Sequence, residues 1–241
     1  MIKEMIKKIL LREKYDSVTY SKFLRKKGVN VGDNVLFIKP KSITVDLTRP
    51  FMISIGSNSV IGANVNILSH DFSWGVIKSI TGEIMGNCKS VVIEESVFIG
   101  WNVMILGGVT IGHHSIIGAG SVVTKSIPSN EVWAGNPARK ICTVLEYYQK
   151  NKNQALNQAY SLYEYYFNRY NESPKKELFF EFFYLFEKCS TDKEKNNWYR
   201  DQLYKMGTYD KTIAFYQDKE PQFKSYEEFL IYCKDRYNSK N

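Results

Sequence analysis

Three side chains in this sequence are suited to moving protons near neutral pH: His70, His113 and His114. A histidine can take a proton from a hydroxyl as its oxygen attacks and later return it to a leaving group. The three are not equivalent. His113 and His114 are adjacent in IGHHSI, whereas His70 ends the segment ILSH, just before a stretch that abandons the pattern of its neighbours. Two adjacent histidines and a remote third lack the spacing of a three-histidine zinc site. Cys88, Cys142, Cys189 and Cys233 are scattered without CxxC spacing, which reads as reduced thiols rather than a disulfide frame or a zinc site, so no metal is expected.

What must position His70 is a six-residue repeat. From Ile93 the chain reads IEESVF, IGWNVM, ILGGVT, IGHHSI, IGAGSV and VTKSIP, and from Ile55 it reads IGSNSV, IGANVN and ILSHD. Six fits neither the 3.6-residue period of a helix nor the alternation of an ordinary strand. It fits a prism whose sides are short strands, each with an inward aliphatic residue and a corner of Gly, Asn or Ser. Three sixes make a coil, and stacked coils pair in parallel and pile their aliphatic residues into columns. Ile67 and Ile93 are out of phase, so about residues 71–90 are inserted as a loop, beginning directly after His70.

The flanks differ from the repeat. Residues 1–28 hold nine Lys/Arg against three Asp/Glu, most of the net charge of +8. They read as a basic helical segment, either a solvated face or a site of peripheral association with an anionic membrane surface. No nucleic-acid-binding motif accompanies it. After Ile141 the period of six stops and aromatics recur at helical spacing, which predicts an α-helical extension over 142–241 whose stripes form a core, a saccharide platform or a docking surface. The expected architecture is mainly β: a parallel β-helix over 29–141 between these two helical segments. The first residues lack a signal-peptide core and no stretch approaches a membrane span, so a cytoplasmic location is expected.

DLTRPFMISIG (46–56), NVNILSHD (64–71), SVFIGWNVMILGGVTIG (96–112), IIGAGSVVTKSIP (116–128) and AGNPARKI (134–141) resemble the hexapeptide-repeat acyltransferases, particularly the sugar and capsule or O-antigen O-acetyltransferases. The resemblance implies a left-handed β-helix, homotrimers with active sites at subunit boundaries, and acetyl-CoA as donor. It implies a sugar hydroxyl of a bacterial surface polysaccharide or its precursor as acceptor, with the histidine before the protruding loop, His70, as the base. The β-helical carbonic anhydrases share the fold but need three spaced histidines.

Carried over position by position, the resemblance places Ala119, Gly120, Thr124, Lys125 and Arg139 at coenzyme A, where small residues admit the pantetheine arm and cations meet its phosphates. Asp46, Trp74 and Phe98 fall at the acceptor, although Asp46 suits a turn equally and Trp74 suits a loop anchor. Asp71 also falls at the acceptor, and either orients the imidazole or starts the loop. Gly100 and Trp101 fall in the oxyanion and thioester neighbourhood, with the Trp101 backbone amide a candidate oxyanion donor by analogy, and Trp101 departs from the small or polar residue usual there. The extension after 141 departs from the compact sugar acetyltransferases. Two other readings remain: N-acetylation of an amino-sugar nucleotide, and a β-helix scaffold without catalysis.

Overall fold

The computed structural model describes residues 11–190, 198, 199 and 203–239, and the chain divides between Tyr147 and Tyr148 into two compact units. In the first unit, very short strands lie on three faces. The first sheet holds β1 (Asn30–Val31), β4 (Ile53–Ile55), β7 (Val91–Ile93) and β10 (Thr110–Ile111). The second holds β2 (Leu36–Phe37), β5 (Val60–Ile61), β8 (Phe98–Ile99), β11 (Ile116–Ile117), β13 (Glu131–Ala134) and β14 (Arg139–Thr143), and the third β3 (Thr44–Val45), β6 (Asn66–Ile67), β9 (Met104–Ile105) and β12 (Val122–Val123). The chain visits the faces in rotation and every pairing is parallel until β14 turns back antiparallel on β13. This is the left-handed parallel β-helix that the resemblance implies.

The register follows the period. Val31, Ile55, Ile93 and Ile111 stack on one face; Phe37, Ile61, Ile99, Ile117 and Trp133 on the second; Val45, Ile67, Ile105 and Val123 on the third. All are buried. Each such side chain taken from water contributes about 1.5–3 kcal/mol before conformational entropy is charged against it. Corners are made by left-handed residues, among them Asn34, Asn58, Asn64, Asn102 and His114, a conformation that asparagine tolerates well. Val92 pairs with Thr110, 18 residues on, but with Ser54, 38 residues back. The twenty-residue difference matches the loop expected at 71–90.

Helix α1 (Ser17–Lys27) is capped by Asp16 and stopped by left-handed Gly28. It buries Tyr20 and Leu24 in the same core as the first strands. Two of the N-terminal cations are bound locally: Lys14 donates to the Ile43 carbonyl, and Arg25 to those of Val31 and Gly32. Residues 1–10 of the expected basic segment lie outside the described residues.

The inserted loop carries α2 (Trp74–Thr81). Helix α3 (Val144–Tyr170) begins at the end of the first unit and continues in the second, which also contains α4 (Tyr209–Tyr216) and α5 (Tyr226–Asn238). There Tyr160, Tyr163, Phe179 and Phe229 are wholly buried, so the aromatic stripes largely make a core. No helix among the described residues is long and apolar enough to cross a membrane.

Candidate active site

His70 lies where the chain leaves the third sheet after β6, at the prism edge between the third and first sheets. Its backbone bridges Cys88, and the Lys89 amide donates to the Ser69 carbonyl at 2.8 Å, so the loop departs and returns at the same point. Gly107 of the next coil closes this corner: a β-carbon there would lie 3.3 Å from both the Ser69 and Lys89 carbonyl oxygens.

The imidazole Nδ1 stands 2.5 Å from Oδ2 of Asp46. Asp46 is buried, yet its carboxylate also accepts from the Thr48 amide at 2.9 Å, the Ser69 amide at 3.1 Å and the Ser69 hydroxyl at 2.5 Å. Burial alone would raise its carboxyl, but the bonds from Ser69, Thr48 and His70 outweigh burial and hold it well below the usual carboxylate range. Since Asp46 is ionised and can only accept, Nδ1 donates, and neutral His70 presents Nε2 as a lone-pair base. The Phe72 ring meets the imidazole edge-on at 5.2 Å between centroids, with Trp74 6.3 Å beyond.

This geometry bears on three of the expected site residues. Asp46, for which a turn role and an acceptor role were both open, accepts from the Thr48 amide two residues on, as in a turn, and lies buried against the His70 imidazole. Asp71, for which both roles were open, serves the loop: it accepts from the Ser73 amide and hydroxyl at 2.9 and 2.6 Å and from Asn87 at 2.6 Å. Those bonds from Ser73, with that from Asn87 contributing, lower its carboxyl. The Gly100 amide is taken up by the Ile117 carbonyl at 2.8 Å, and a β-carbon there would come within 2.6 Å of the Ala119 nitrogen. It is a close-packing glycine with no amide left for an oxyanion.

The remaining residues lie on other parts of the prism. Trp101, Ala119 and Gly120 share the edge between the second and third sheets, where the Gly120 amide donates to the Trp101 carbonyl at 2.8 Å and Lys39 Nζ sits 4.6 Å from the centroid of the indole ring. Phe98 is on the outer face of the second sheet, paired with Val60 and Ile116. Thr124 and Lys125 follow β12, with Lys125 Nζ 5.4 Å from the Trp133 ring centroid, and Arg139 opens β14. His113 and His114 occupy the third edge with ring nitrogens 2.8 Å apart, and no group of three metal-ligating side chains occurs among the described residues. Ala119 is exposed and a β-carbon on Gly120 would meet nothing within 4 Å, leaving open surface for a slender ligand, with Lys125 and Arg139 as exposed cations on the final coil. Reading the sequence missed Ser69, Phe72 and Gly107. Of these only Gly107 left a signal, the doubled glycine of ILGGVT.

Residues 90–125 match the model of the bacterial transferase hexapeptide, six repeats, and residues 53–69 that of the hexapeptide repeat of succinyl-transferase. The chain is 35% identical over 175 residues to protein CapG of Staphylococcus aureus, an alignment covering 69% of this chain and 100% of CapG. It is 38% identical over 102 residues to galactoside O-acetyltransferase of Escherichia coli, covering 42% and 48% of the two chains. A hexapeptide-repeat acetyltransferase of Vibrio cholerae, solved with acetyl coenzyme A, aligns with a TM-score of 0.40 and 25% identity over 58% of this chain and 84% of that one.

Proposed function

Since the chain belongs to the hexapeptide-repeat acyltransferases, we propose that it is an acetyl-CoA-dependent O-acetyltransferase acting on a sugar hydroxyl of a bacterial surface polysaccharide or its precursor, with His70 as general base. The observation that carries the reading is the buried Asp46–Ser69 support that turns Nε2 of His70 outward at the foot of the inserted loop.

In this reading Nε2 accepts the proton of the attacking hydroxyl, and the imidazolium so formed is stabilised by ionised Asp46. The sugar oxygen bonds to the thioester carbonyl carbon and the carbon–sulfur bond breaks. His70 then gives the proton to the departing sulfur, so the products are an acetyl ester and a thiol. Acetyl-CoA supplies the activated acyl group. Ala119 and Gly120 would line its pantetheine arm, and Lys125, Arg139 and Thr124 would meet its nucleotide end.

Within one chain, His70 and the Ala119–Gly120 surface are on different edges of the prism. That separation supports a homotrimer in which the donor surface of one subunit faces the histidine of its neighbour. The acceptor class is tested by supplying acetyl-CoA with neutral glycosides and with amino-sugar nucleotides. An alkali-labile ester on a neutral sugar is the expected product; an amide as the sole product would overturn O-acetylation.

A further inference from the structure

The second unit contains a cleft of about 630 Å³ that nothing in the proposed chemistry uses. It is bounded by the first turns of α3, the 181–189 segment and the end of α4. The volume is that of a small-molecule site. Tyr148 and Phe215 at its rim are 43% and 48% exposed, and Tyr184 and Tyr216 stack in its wall at 5.6 Å. Planar amides, Gln158 and Gln222 among them, line the same cleft.

Four of the five charged side chains in the cleft's lining, all but Glu181, are engaged by neighbours. Lys152 sits 5.7 Å from the Tyr148 ring centroid and Lys219 sits 3.4 Å from that of Phe215. Glu187 pairs with Lys176 at 3.6 Å, and Glu220 with Lys188. A cleft that displays aromatic surface and planar hydrogen-bonding groups, with its lysines held on rings and two of its carboxylates in ion pairs, suits a ligand that is polar but uncharged. A pyranose is such a ligand: its C–H face packs on an aromatic ring, and its hydroxyls bond amides at the edge.

We infer that this cleft is a second saccharide-binding site, taking neutral pyranose units of the acceptor at a distance from the unit being acetylated. The inference rests on the reading that the acceptor is a saccharide. Such a site would hold a long acceptor by two points and raise the effective concentration of its reactive hydroxyl.

The test uses the full chain on an array of neutral oligosaccharides of three or more pyranoses, their uronic-acid counterparts and the component monosaccharides. Neutral oligosaccharides are expected to bind, and His70→Ala to bind them equally. A Tyr148→Ala, Phe215→Ala double variant is expected to weaken that binding about tenfold, with Tyr148→Phe retaining it. If the double variant loses helical circular dichroism, Gln222→Ala, at an exposed position, takes its place with the same expectation. Failure to bind any neutral oligosaccharide, preference for the acidic series, or binding indifferent to these substitutions would overturn the inference. Ring-dependent binding of neutral oligosaccharides none of which accepts an acetyl group would overturn the saccharide-acceptor reading and with it the cleft's tie to the acceptor, while leaving the cleft a saccharide-binding site.

Discussion

At the scale of the residue, the proposed chemistry rests on a pair whose members are 24 positions apart, His70 and Asp46. His70 was legible because it sits where the six-residue phase breaks. For Asp46 the sequence leaves an acceptor role and a turn role open and does not show the contact with His70, because that contact depends on coil stacking: β3 lies beside β6, the Asp46 amide bonds the Ile67 carbonyl, and the side chain thereby comes under the next turn. Asp46→Asn keeps the shape but removes the charge that fixes the tautomer and stabilises the imidazolium. Activity is expected to fall by about 10²-fold or more, mainly in kcat. The carboxyl of Asp46 is depressed in the fold, so its contribution to stability is present above its ordinary unfolded value, about 3.9, and is lost as pH falls from there through the folded value. Urea midpoints should show the wild-type chain more stable than Asp46→Asn from neutral pH down to about pH 4, with the gap narrowing only below it. A gap that closed between pH 7 and 5 would contradict the assignment.

At the scale of the element, the prism was legible almost strand by strand, because a period of six leaves each inward position a single column to join. Ile99, wholly buried between Ile61 and Ile117, represents all of them. Ile99→Ala is expected to cost about 2–5 kcal/mol, read as a lowered denaturation midpoint, because stacked coils close poorly over a cavity. A cost under about 1 kcal/mol would mean that the columns are looser than the register implies. The loop was legible only as an interruption. Its internal order comes from Asp71 holding Ser73 and Asn87, contacts that no repeat predicts. Its helix α2 leaves Val76 and Ile80 exposed at 67% and 81%.

At the scale of the whole molecule, the two units differ in what they bury. The prism is a column of aliphatic side chains, whereas the helical unit buries phenols and a thiol: burial pushes Cys233 and Tyr216 up to about 12, and burial with the Glu164 bond does the same for Tyr160. Groups raised in the fold lend stability below their unfolded values, and that stability is lost as pH climbs from those values through the folded ones. The helical signal at 222 nm is therefore expected to collapse between about pH 9 and 12, ahead of the β-helix. Tyr20, also raised to about 12 by burial, adds the same tendency more weakly to the prism. Helical spacing made the extension legible as helices, but its cleft depends on tertiary packing between segments as far apart in the chain as Tyr148 and Gln222, which no local pattern encodes.

The most direct test of the enzyme reading is the rate of thiol release from acetyl-CoA, measured with the neutral sugar that the acceptor panel identifies, for the wild-type chain and for His70→Ala folded to the same circular dichroism. Removal of the base is expected to slow release about 10²- to 10⁴-fold with the sugar's KM little changed. A rate within about twofold of wild type would contradict His70 as the base.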